Sequence, residues 1–342
     1  MFTPDEIRTK MQGATEVSTE IISQIHQERL LQIWVPKKYG GLGLRLHQGL
    51  KILYDWAKID GSLGWMLTLC SGANFFSRNL KPSIAKELFS NSRTCFGGSG
   101  MIGGTAERQQ DGTFLINGLW HFATGAPHLS HFTLNAKLTK NGKPLLNENG
   151  EEMIRSFVIP QKDAKVIRDW KSMGLKATGT YSFEVNEVKV QTDFSFVYDK
   201  FFTEDILDSV PFRIFADLTL MVNYLGMAHH FSEEALLIRP QLNLETFEES
   251  IKETFHQIIN FAEEVEAILE SFQAITSEKQ TEIHHFCESE LEKLSHLILD
   301  IYFQLGIKAT HTDSSIYQVF CDYFTAKQHS NFRKEWGNII EI

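Results

Sequence analysis

At 342 residues, 42% of them hydrophobic and 12% aromatic, the chain is long enough for two or three domains and rich enough in core residues to exclude wholesale disorder. Asp and Glu number 43 against 33 Lys and Arg, and this net charge of −10, with no basic stripe carrying interleaved aromatics, excludes a nucleic-acid backbone as main partner. Cys70, Cys95, Cys287 and Cys321 form no close pair, which excludes a zinc knuckle or a disulfide-stapled secreted domain; the acidic amino terminus and the lack of a long apolar run point to a cytoplasmic chain with no membrane span.

Residues 1–91 read as a helical domain. Val17, Ile21, Ile25 and Leu30/Leu31 recur at helical intervals, and Leu50, Leu53, Tyr54 and Ala57 share one side of a second helix over Gln48 to Ala57. Between them VPKKYGGLGL (Val35 to Leu44) breaks the helices with Pro36 and its glycines. A further apolar helix begins near Ser62 and runs past Phe75.

Residues 92–205 change texture. Strands are expected at Thr113 to Ile116, Phe132 to Leu138, Ile154 to Ile159 and Tyr181 to Val188, with turns at Asp111-Gly112, Asn117-Gly118, Asn141-Gly142 and Asn149-Gly150, where Asn and Gly tolerate left-handed backbone. Strands without intervening helices imply an antiparallel barrel or sandwich and argue against a Rossmann sheet. From residue 206 to 342 the period returns to 3.6. One stripe runs from Phe247 to Ile275 and another from Ile283 to Leu305; with segments around Phe212 to Leu237 and Ser314 to Phe332 they make four helices, read as an antiparallel bundle with a coiled-coil seam as the alternative.

Three polar-glycine segments stand in or beside the β region: Cys95 to Glu107, Gly118 to His131 and Trp170 to Thr180. They are either plain turns or places where a ligand approaches the main chain. None has the GxGxxG or GxxxxGK[ST] spacing of a phosphate loop. If the second is extended, Trp120, Phe122 and Thr124 share one face and form a wall for a planar heterocycle. No metal site is expected, because the pairs His229-His230 and His284-His285 are helical neighbours pointing about 100° apart, and His128 and His131 lack carboxylate or cysteine companions. His329, seven residues after Asp322, is either a structural histidine or a proton-transfer group on a similar helix face.

VPKKYGGLGL, DGSLGW, NGLWHFATGAPH, WKSMGLKATGT and VFCDYFTAKQH follow one another in the order and approximate spacing of the acyl-CoA dehydrogenase superfamily, and the chain resembles its reduced-flavin-dependent monooxygenase branch of aromatic hydroxylases and dibenzothiophene monooxygenases. The resemblance implies an α+β fold with an amino-terminal helical domain, a central antiparallel β domain and a carboxy-terminal four-helix bundle. It also implies FAD or FMN between the β domain and the bundle, with Trp120, Phe122, Ala123 and Thr124 lining the ring and Thr124 near N5. Gly98, Ser99 and Gly100 would form the first flavin-facing segment, Thr178 and Thr180 the second. A homodimer or homotetramer and a separate flavin reductase are implied as partners.

The glutamate beside a Tyr-Glu-Gly triplet, which the dehydrogenase branch uses as base, has no counterpart in TAKQHSNFRKEW; Glu335 is the only glutamate there. The resemblance to the monooxygenase branch instead implies a catalytic set of His329, His128 and Asp322. Oxygen would come from a flavin C4a-hydroperoxide and enter a small aromatic substrate that His329 deprotonates, or His329 would orient the hydroperoxide; His128 would line the cavity. No arginine-bearing phosphate segment follows the first bundle helix, where Arg239 and Pro240 stand, so FMN and FAD both remain open. The alternatives are an acyl-CoA dehydrogenase-type enzyme that passes hydride to FAD and a non-catalytic flavin-binding or structural homologue.

Overall fold

The structure is a computed structural model and describes residues 1–332; Glu335 lies outside the described residues. Its amino-terminal part holds helices α1 (Pro4–Met11), α2 (Thr19–Gln27), α3 (Leu46–Ile59), α4 (Gly61–Phe75) and α5 (Pro82–Phe89). Asp60 starts α4 by accepting a hydrogen bond from Leu63 N at 3.0 Å, the usual way to satisfy a free amide at a helix start. α4 is buried nearly all round, because α3, α6 (Phe212–Ile238), α9 (Ser315–Ala326) and strand β1 (Phe96–Arg108) all pack on it. A Cβ at Gly64 would lie 2.4 Å from Ala57 Cα and one at Gly226 would lie 2.6 Å from Ala57 Cβ, so small residues let α4 and α6 close on α3 from two sides.

The middle of the chain forms one eight-stranded sheet. Its other strands are β2 (Phe114–Ala123), β3 (His131–Lys140), β4 (Lys143–Pro144), β5 (Ile154–Pro160), β6 (Lys165–Ile167), β7 (Tyr181–Val190) and β8 (Ser195–Phe196). The order is β6-β7-β2-β1-β3-β5-β8, with β4 paired to β3. All pairings are antiparallel except β1 with β3, which corrects the expectation of a purely antiparallel domain: the sheet is mixed. β1, like the short strands β4, β6 and β8, is not found by alternation. It is built from the glycine-rich segment after Cys95, and its register slips between Ser99 and Ile102 and again before Gly104. Asn117-Gly118 lies inside β2 at a bulge against β7, not at a turn, whereas Gly142 has φ of +72° in the β3–β4 turn.

Among the described residues four α-helices follow the sheet: α6, α7 (Glu245–Glu270), α8 (Ser277–Leu305) and α9. Packing of α6 on α7, α8 and α9 gives the bundle, and α6 also lies along α3, so one core joins the helical parts and the inner face of the sheet. Glu266, buried on α7, accepts from Leu46 N at 2.6 Å and from the His47 ring at 2.6 Å, tying α7 to the start of α3. No described helix is long and apolar enough to cross a membrane.

Candidate functional site

The third glycine segment is folded into a hook between β6 and β7, and the bundle holds it. Leu175 sits in left-handed backbone at φ +52°, and its N–H donates to Asp322 Oδ1 of α9 at 2.5 Å. Gly174 N donates to Thr325 Oγ1 at 3.0 Å, and the hook passes so close to α9 that a Cβ at Gly174 would lie 2.1 Å from the Cys321 carbonyl. Trp170 Nε1 and Thr178 Oγ1 both donate to Leu175 O, at 2.9 and 2.8 Å.

From Thr178 a row of buried hydroxyls leads to the end of β2. Thr178 Oγ1 is 2.7 Å from Thr180 Oγ1, which is 3.0 Å from Thr124 Oγ1. A carbonyl only accepts and each hydroxyl has one proton, so the row has a direction: Thr178 donates to Leu175, Thr180 to Thr178 and Thr124 to Thr180. Thr124 Oγ1 therefore has only lone pairs for a further partner. The next residue, Gly125, has φ of +76°, and its N–H donates to Thr178 O at 2.8 Å, which joins the two glycine segments.

Trp120 and Phe122 do not share a face. β2 is bulged against β7 between Trp120 and Ala123, and Phe122 takes φ of +65°, unusual for a bulky residue. Trp120 has no exposed surface; it stacks on Phe183 and donates its indole N–H to Asn135 O at 2.9 Å. Its ring therefore supports the sheet from inside and offers no face to a ligand. Phe122 is 60% exposed, with Trp170 edge-on at 6.4 Å. Leu119 of β2, Met101 and Ile102 of β1 and Met173 of the hook are also exposed, an unusual density of apolar surface for these elements.

The first segment divides in the same way. A Cβ at Gly98 would lie 1.7 Å from Thr133 O, so that glycine is required by the β1–β3 pairing itself. Nothing lies within 4 Å of the Cβ position of Gly100, where a ligand has room. Ser99 Oγ accepts from Met101 N at 3.3 Å. Ala123 is buried beside the bulge.

The expected catalytic set is dispersed. α9 ends at Ala326, so His329 is not on the helix face of Asp322; its N–H donates to Ala326 O at 2.9 Å and its ring meets Trp65 of α4 edge-on, centroids 5.6 Å apart. Asp322 is buried at the start of the hydroxyl row with no route to a substrate, so it anchors the hook. Asp322 Oδ2 has no hydrogen-bond partner among the described residues, and burial, followed by the neighbouring Asp60 carboxylate, pushes its pKa well above the carboxylate range. His128, in the turn after Gly125, has a buried Nε2 without a partner among the described residues, and burial lowers its pKa. Trp65, beside His329, meets Tyr224 edge-on at 6.1 Å, and Asp60 lies by Asp322; sequence reasoning assigns none of the three, although DGSLGW, which starts at Asp60 and ends at Trp65, marks two of them. Arg239 donates to Gln304 O at 2.7 Å, joining the ends of α6 and α8.

Replacing Asp322 by alanine is expected to strand the Leu175 amide and cost about 1–3 kcal/mol. The pH dependence has a definite sign. A carboxyl whose pKa is raised by folding adds stability below the ordinary carboxylate range and loses it as pH rises through the raised value. Denaturant titrations of Asp322→Asn, which keeps the acceptor without the charge, should lack that loss; an identical decline in both proteins would contradict it.

No family model matches the chain. An indole-3-acetate monooxygenase of Acinetobacter baumannii is 26% identical over 182 residues, 53% of this chain and 45% of that protein. The chain thus matches about half the length of the curated relatives. Solved structures align more fully: the HsaA monooxygenase from M. tuberculosis superposes with a TM-score of 0.84 at 17% identity, covering 96% of this chain and 92% of that one. The fold is that of the flavin-dependent monooxygenases of acyl-CoA dehydrogenase type. FMN-bound TdsC from Paenibacillus sp. A11-2 has the same fold, with a TM-score of 0.79 at 18% identity over 96% of this chain and 92% of that one.

The residues present fit a flavin. Exposed apolar surface around Phe122 suits a planar ring, Gly100 leaves the main chain open, and Thr124 offers an acceptor to a ring N–H. Among the described residues no group of three or more His, Cys, Asp or Glu is placed to hold a metal ion.

Proposed function

We propose that the chain is the oxygenase component of a two-component flavin monooxygenase that adds one oxygen atom to a small aromatic substrate. The observation that carries this is the directed hydroxyl row. An oxidised flavin has a bare N5, which needs a donor, whereas reduced flavin carries N5–H, which needs an acceptor; Thr124 Oγ1 has lone pairs and no proton to spare. Reduced FMN or FAD, when bound, supplies the electrons that activate O2 and so carries the difficult chemistry.

The chain's own residues then bind and orient. Phe122 and Thr124, with Ser99 and Gly100, hold the ring, while Thr178 and Thr180 keep the Thr124 proton turned inward and buried Ala123 backs the bulge. Asn331 N donates to His329 Nδ1 at 3.4 Å, which leaves the proton of the neutral imidazole on Nε2. His329 in this form donates a hydrogen bond to a substrate oxygen, and Trp65 beside it packs on an aromatic ring. Burial lowers the His128 pKa, and the nearest charged groups it feels are Glu16 and Arg168, so it takes no part in holding the substrate. A separate reductase delivers the flavin, and a homodimer or homotetramer completes the site. The name of the Acinetobacter relative, an indole-3-acetate monooxygenase, supports the aromatic class.

The test supplies purified protein with reduced FMN or FAD, isotopically labelled O2 and a panel of phenols and indoles. Labelled hydroxylated product is expected. Anaerobic bleaching of bound oxidised FAD by an acyl-CoA, without hydroxylation, would overturn the proposal in favour of a dehydrogenase.

A further inference from the structure

His329 follows the end of α9 at Ala326, and the chain there is tied back by single-turn bonds such as His329 N to Ala326 O at 2.9 Å. Two groups on one face of α6 hold this segment from outside. Tyr224 donates its hydroxyl to Ala326 O at 2.8 Å, holding the point where the helix stops. Two turns earlier, Asp217, with no exposed surface, accepts from Asn331 Nδ2 at 2.7 Å. Both oxygens of Asp217 also lie 3.1 Å from Nδ1 of His284 on α8.

The clasp closes on itself. Phe332 stacks on the His284 ring at 26° with centroids 5.7 Å apart, and it meets Tyr224 edge-on at 6.3 Å. Asn331 is the link: its side chain reaches the buried Asp217 carboxylate, and its main-chain N–H reaches Nδ1 of His329. A carboxylate with no exposed surface is costly unless it is paired and hydrogen-bonded. Burial does push the Asp217 pKa up, opposed by Asn331 and then His284. The bundle would be simpler with an apolar residue here, so the carboxylate is better explained by the residues it holds.

We propose that Asp217, His284 and Asn331 are positioning residues for His329: the buried carboxylate, braced by His284, fixes Asn331, and Asn331 fixes the tautomer and direction of the His329 ring. None of the three touches the reacting atoms. The consequence for turnover rests on the role given to His329 above, while the clasp itself does not.

Asn331→Ala tests it without disturbing the bundle interior, and Asp217→Asn removes the charge while keeping the shape. Hydrogen exchange of the amides of residues 327–332 should rise roughly tenfold or more in Asn331→Ala, as expected for one lost charge-assisted hydrogen bond, with α6 and α8 unchanged. Asp217→Asn should give a smaller rise. The 15N signals of the His329 ring should lose their preference for the proton on Nε2. In turnover assays both variants should lower kcat with KM unchanged, and neither should add to His329→Ala. A loosened segment with unchanged turnover supports the clasp and overturns the catalytic role of His329. Unchanged exchange together with unchanged ring signals overturns the clasp, whatever the turnover.

Discussion

Trp120→Ala is expected to destabilise the protein by about 3–5 kcal/mol, the range for deleting a fully buried large aromatic. The indole has no exposed surface, lies against Phe183 with centroids 5.5 Å apart, and satisfies the Asn135 carbonyl. Three glycines are shaped around it: Cβ atoms at Gly103, Gly104 and Gly118 would lie 2.7, 2.8 and 2.7 Å from indole carbons. Removing the ring leaves a hole that those glycines, having no side chains, cannot fill. The loss should appear as a lower denaturation midpoint. Trp120→Phe should recover part of the packing but leave Asn135 O without its donor. If Trp120→Ala left stability intact and only weakened flavin binding, the indole would belong to the ligand site and not to the sheet.

His329→Ala should lower hydroxylation by roughly 10²–10³-fold, the span for removing one positioned hydrogen-bond donor, with little change in flavin affinity. The separation of effects comes from geometry. His329 meets Trp65 on the helical side, whereas the proposed ring contacts of Thr124 and Phe122 come from the β side. Reduced flavin should therefore bind the variant and consume O2, releasing it as peroxide without product. Measurements of O2 uptake against product formation check this, and unchanged coupling would remove His329 from the mechanism.

The longer helices and four of the eight strands are legible in the sequence because their periodicity is set by which face is buried. Phe132 to Leu138 and Ile154 to Ile159 alternate or run apolar and form β3 and β5, and the stripe from Ile283 to Leu305 is α8. β1 is not legible. Glycine carries no strand preference, and Gly98, Gly103 and Gly104 are there because Thr133 and Trp120 occupy the space a side chain would need, a fact about partners distant in sequence.

For the candidate site, the convergence of three threonines is foreshadowed by the glycine segments that carry them, whereas their arrangement is not. Thr124, Thr178 and Thr180 do converge, but the row's direction depends on the Leu175 carbonyl and on Asp322 holding that loop from α9. Alternation assigns Phe122 and Trp120 a common face, and one bulge cancels it. Spacing alone puts His329 on the helix of Asp322, since nothing local marks Ala326 as the last helical residue; Tyr224 and Asp217, on another helix, hold the segment beyond it.

The most direct measurement is an anaerobic titration of the protein with FMN and FAD in both redox states, repeated for Thr124→Val. Reduced flavin should bind more tightly than oxidised, and the variant, which has no hydroxyl to accept N5–H, should lose roughly tenfold in affinity for the reduced form alone. Absence of flavin binding in either state, or equal binding by both proteins, would contradict the placement of a reduced flavin against the threonine row.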